Sequence, residues 1–234
     1  MAKERGGVID QAAAEALLRR YLDERGWRYE WEEREFGGKR PDAVILSESG
    51  EPIAVIGAVA VDEGAELEQM VREALACGME QASPVAEAGL PYLLAAHIPG
   101  CPPLERIAPR IGENLRQFPT ISAFGILREL DAAVVKKYTE FAKQHPRNPP
   151  LPTPTLTVME ILLNPCTRVA WREGLWGATD EVWGWVENLQ EFQTVHDGRW
   201  WGLYRLFSLA GSVPAPFKEG VKMSRSENFY EERE

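Results

Sequence analysis

An α/β protein with a three-layer α/β/α core is what the sequence predicts, and three observations point to it. A helical stripe opens the chain, two β-rich runs flank a turn-prone SESGEP, and a second helical stripe leads into the short, wholly apolar run LPYLLAAHI. That order, helix, three strands, helix, strand, allows a parallel crossover through the second helix to cover one face of a mixed central sheet.

Each element has its own signal. In IDQAAAEALLRRYLDERG, Ile9, Ala13, Leu17 and Tyr21 recur every four residues beside Ala14, Leu18 and Leu22, with Asp10 placed to cap the start and Gly26 to end it. WRYEWEERE sets Trp27, Tyr29 and Trp31 on one side of an extended chain and Arg28, Glu30 and Glu32 on the other, the period of a strand with one wet face. Ala43 to Leu46 and Ile53 to Val61 then read as a β-hairpin. Helical spacing returns from Ala65 to about Gly78, and Leu90 to Ile98 reads as a strand buried on both faces.

Beyond Gly100 the pattern predicts a mostly helical extension. It includes a helix over Ala123 to Gln144, where Leu127, Leu130, Val134 and Tyr138 are spaced for one face, and a helix-leaning stretch from Thr155 to about Ala210. The organisation expected is a domain over 9–120, a helical connector over 121–145, a proline-rich linker over 146–154, a Trp-rich helical region over 155–212 and a polar tail over 213–234.

Composition narrows function. The formal net charge is −10, and residues 1–98 hold 10 Lys and Arg against 19 Asp and Glu, a net of −9. The charge argues against holding nucleic acid through a broad basic surface, because that mode needs many cations on phosphates, and leaves room only for a small basic groove. Cys77, Cys101 and Cys166 lie far apart without a CxxC pair, and His97, His145 and His196 are equally scattered, so no structural zinc site is implied. His97 with Cys101 reads as two satisfied side chains rather than a metal pair. No run reaches the roughly 20 apolar residues of a membrane helix, and MAKERGGVID lacks a signal peptide's apolar stretch, so a cytoplasmic protein without membrane contact is expected.

A metal-dependent nuclease of αβββαβ type needs carboxylates on two adjacent strands for Mg²⁺ and a lysine two residues after the second acid, since i and i+2 share a strand face. The stretch KRPDAVILSESGEPIAVIGAVA, Lys39 to Ala60, resembles the PD-(D/E)XK nuclease superfamily, most closely the N-terminal nuclease domain of type I restriction enzyme motor subunits. Arg40, Pro41 and Asp42 match its RPD, Gly50 its turn, and Pro52 to Ile56 its second strand; GLPYLLAAHI resembles a later strand. The resemblance spans about Asp10 to Ile98 and implies a restriction-endonuclease-like core.

The departure from the family is decisive. Gly57 stands where the second acid belongs and Val59 where the lysine belongs, leaving Asp42 alone. A single carboxylate holds Mg²⁺ weakly, so the expectation is a vestigial site, packed and apolar, with no cofactor. If activity survives, Mg²⁺ would sit on Asp42 with help from Glu15 on the first helix or from Glu51. Relocation onto Asp62 or Glu63 fits poorly in strand parity and distance, and Lys39 and Arg40 read equally well as exposed loop cations. Gln69 falls where the family often carries a helical glutamine, but Glu73 replaces the usual aromatic partner. The tryptophans of the C-terminal region, among them Trp176, Trp183, Trp185, Trp200 and Trp201, are mixed with acids and glycines, which favours core packing or a protein interface over base stacking. The function expected is that of a degenerate nuclease acting as a binding or scaffolding subunit, with a protein partner and with nucleic acid reached through a complex.

Overall fold

A computed structural model of the chain describes residues 11–61, 67–144, 146, 153–177, 179–196, 198 and 204. The elements run α1 (Gln11–Glu24), β1 (Tyr29–Trp31), β2 (Ala43–Leu46), β3 (Pro52–Ala60), α2 (Leu67–Glu87), β4 (Tyr92–His97), α3 (Leu104–Leu115), β5 (Ala123–Glu129), α4 (Ala132–Gln144), β6 (Thr157–Leu163), β7 (Glu181–Val186) and β8 (Glu191–His196). All eight strands share one mixed sheet in chain order. β2 is antiparallel to both neighbours, β3, β4 and β5 are mutually parallel, β6 opposes β5 and parallels β7, and β8 opposes β7.

The strand alternation sorts side chains to two cores. Leu17, Leu18, Tyr21 and Leu22 of α1 cover Ala43, Ile45, Ala54, Ile56, Leu93 and Ala95 on one face. Val71 and Leu75 of α2, with Leu104, Ile107 and Ile111 of α3, cover Val44, Val55, Leu94, Phe124 and Leu162 on the other. Each fully buried Leu or Ile contributes about 1.5–3 kcal/mol to this layering.

Buried carboxylates tie the halves together. Asp180, fully buried, accepts from the hydroxyl of Tyr21 (2.5 Å), from Arg25, from Met159 N (3.1 Å) and from Gly177 N (2.6 Å). Burial, the largest influence, raises the Tyr21 hydroxyl well above the usual phenol range. Glu24 at the end of α1 accepts from Leu156 N and Thr157 N, both at 3.0 Å, so the first helix anchors the start of β6. Glu160 holds the α3 N-terminus through Leu104 N (2.9 Å) and pairs with Arg128.

Several expectations are corrected. The helix expected over Ala123 to Gln144 is a strand followed by a shorter helix. Ala123 to Leu127 are buried on both faces, and Asp131 caps α4 by accepting from Ala133 N at 2.7 Å. From Thr155 to His196 the expected helical region instead supplies β6, β7 and β8, which extend the sheet; most of the region beyond His196 lies outside the described residues. Gly78 does not stop the second helix: its bare Cα lets Leu94 pack at 3.0 Å from where a Cβ would lie. The helix continues to Glu87, and Gly89 at φ 76° terminates it. The first strand is shorter than its pattern suggested and is followed by Glu32 at φ 52°. The Asp10 cap, most of the proline-rich linker, His145 and the polar tail lie outside the described residues. Among the described residues no helix is long and apolar enough to cross a membrane.

Candidate functional site

Pairing of Ala43 with Ile56 puts Asp42, one step further out, opposite Gly57. β2 ends there, so β3 runs on without a strand partner on that side, and side chains take the place of the missing ladder. The Asp42 carboxylate accepts from Ala58 N at 2.6 Å. Gln11, at the start of α1, accepts from Ala60 N and donates to Ala58 O and to Glu15, each at 3.1 Å. Backbone groups of an exposed strand edge are thereby satisfied.

Three acids converge at this margin. One carboxylate oxygen each from Glu15, Glu32 and Asp42 lies within 4.8 Å of the others. Glu32 is held there by its backbone N–H, which donates to Asp42 O at 3.0 Å. Burial pushes Asp42 up to about 6, and the charges of Glu15 and Glu32 add to it, while the Ala58 N–H opposes the shift. An all-oxygen set of this kind suits a hard cation such as Mg²⁺ or Ca²⁺.

Gly57 and Val59, where the resemblance would place an acid and a lysine, have different surroundings. A Cβ on Gly57 would stand 2.0 Å from the Tyr92 hydroxyl and 3.0 Å from Gln81 Oε1, and these two atoms are hydrogen-bonded to each other at 2.9 Å. Tyr92 is completely buried, and its hydroxyl is held far above its ordinary value, first by burial and then by the Asp42 charge. Val59 packs against the core beneath α2 and α3. A tyrosine from β4 and a glutamine from α2 thus fill the space into which residue 57 would project.

Other sequence candidates are placed elsewhere. Glu51 lies in the hairpin turn, six residues and roughly 20 Å along the strand from Gly57. The Lys39 ammonium pairs with Glu80 at 3.0 Å and Arg40 pairs with Glu35 at 3.6 Å, both on the surface. Gln69 is exposed and bonded to Glu73; the helical glutamine at the site is Gln81. His97 ends β4 opposite Ala60, and Cys101 is a buried thiol pushed up by burial. Trp176 packs on the α1 side. Trp183 and Trp185 pack partly on the α3 side, with their indole N–H groups donating to Glu181 and Glu187 and Arg116 lying 3.9 Å over the Trp185 ring. Asp62, Glu63, Trp200 and Trp201 fall outside the described residues.

Sequence reasoning missed Gln11, Glu32, Gln81 and Tyr92. Glu32 had one signal, its position between the end of a short strand and the glycine break; Tyr92 looked like one more member of an apolar run. No protein-family model, curated protein or solved structure matches the chain.

Proposed function

We propose that this protein is a nuclease-like chain that has lost metal-dependent catalysis and serves as a binding or scaffolding subunit of a nucleic-acid-processing complex, in defence, restriction or mobile-element biology. The observation that carries this reading is the filled space at Gly57: with the Tyr92 hydroxyl 2.0 Å from a would-be Cβ, an acid at that position would have to displace the buried Tyr92 side chain. Val59, partly buried against the core, supplies no ammonium to activate water, and the net charge of −10 disfavours unaided binding to DNA. Nucleic acid is then met through a protein partner, and the half-buried Trp183 and Trp185 are the surface assigned to it. Purification of the complete chain from its host with identification of co-purifying chains tests this. A stoichiometric nucleic-acid-processing partner supports the reading; a monomer that cleaves DNA with Mg²⁺ overturns it.

A second reading has its own support in the convergence of Glu15, Glu32 and Asp42 within 4.8 Å. Those three would hold a Mg²⁺ ion, which in a DNA endonuclease would bind a phosphate oxygen and lower the pKa of a bound water. Lys39, the lysine nearest Asp42 in sequence, pairs instead with Glu80 on the surface. Loss of Mn²⁺-dependent cleavage in both Asp42→Ala and Glu32→Gln would establish it; absence of cleavage in the parent chain would remove it.

A further inference from the structure

We draw no further inference here: the strongest candidate, the Glu15, Glu32 and Asp42 carboxylate cluster where α1 meets the outer margin of β2 and β3, belongs to the site already described, and among the described residues no independent feature points to a ligand there.

Discussion

Asp42 sits where burial and two like charges act against its ionised form. Its carboxyl rises from 3.8 to about 6, so the folded state holds the proton more tightly than the unfolded chain does. Stability contributed at this group therefore grows as pH falls from about 6 toward 3.8, and above 6 the charged form costs the fold about 3 kcal/mol. Asp42→Asn keeps an acceptor for the Ala58 N–H and removes the charge. Urea unfolding should find it more stable than the parent by about 1–2 kcal/mol at pH 7, with the difference shrinking toward pH 4; a less stable variant at pH 7 would show that burial and the neighbouring acids do not disfavour the ionised carboxyl. Gly57 makes a second test. Gly57→Ala should cost about 1–3 kcal/mol by overpacking against the Tyr92 hydroxyl. Tyr92→Phe deletes the atom at 2.0 Å and leaves the nearest ring carbon at 2.9 Å, so a double-mutant cycle should return a favourable coupling of at least 0.5 kcal/mol. Additive effects would place Tyr92 away from Gly57.

At the scale of elements, the first helices and strands were legible from their periods, and β4 from a short apolar run bounded by Gly89 and Gly100, too short for a core helix. Ala43 to Leu46 is a strand over the residues expected, and the stripe of Leu17, Leu18, Tyr21 and Leu22 is the buried face of α1. The strands after Gly100 were not legible, for a physical reason. Strands buried on both faces show no alternation, so Ala123 to Leu127 offers the same apolar run as a core helix, and Leu130, Val134 and Tyr138 of the next turn and helix complete a false four-residue spacing. In β7, Trp183 and Trp185 did alternate, but only the pairing with β6 and β8 makes that period a strand. The site was half legible: Asp42, just before β2, stands opposite Gly57 of β3, which also carries Val59, whereas Glu32, Gln11 and Gln81 arrive by tertiary packing that no local spacing encodes. The Tyr21, Arg25 and Asp180 network also joins elements far apart in sequence. Asp180→Ala leaves Arg25 buried without its partner, and should cost about 3–5 kcal/mol in equilibrium unfolding. A cost below 1 kcal/mol would mean that the pair is not closed to water.

For the whole molecule, one sheet passes through both halves of the chain. β5 pairs with β4 and β6, and Phe124, Leu162 and Phe192 belong to the same core as Val55 and Leu94. A fragment ending at residue 120 would expose the β4 edge and leave α3 without its cover, so it should be aggregation-prone, bind a hydrophobic dye and lack a cooperative melt; a sharp two-state melt of residues 9–120 would contradict this unity. Thermal unfolding of the complete chain with and without millimolar Mg²⁺ or Mn²⁺, beside Asp42→Ala, tests the proposed absence of a metal centre most directly. A site filled by Tyr92 and Gln81 predicts the same Tm in metal and in chelator for both proteins. A rise of several degrees in the parent, the size expected for an ion at about 100 times its Kd, together with no rise in Asp42→Ala, would show that the three acids hold a cation after all.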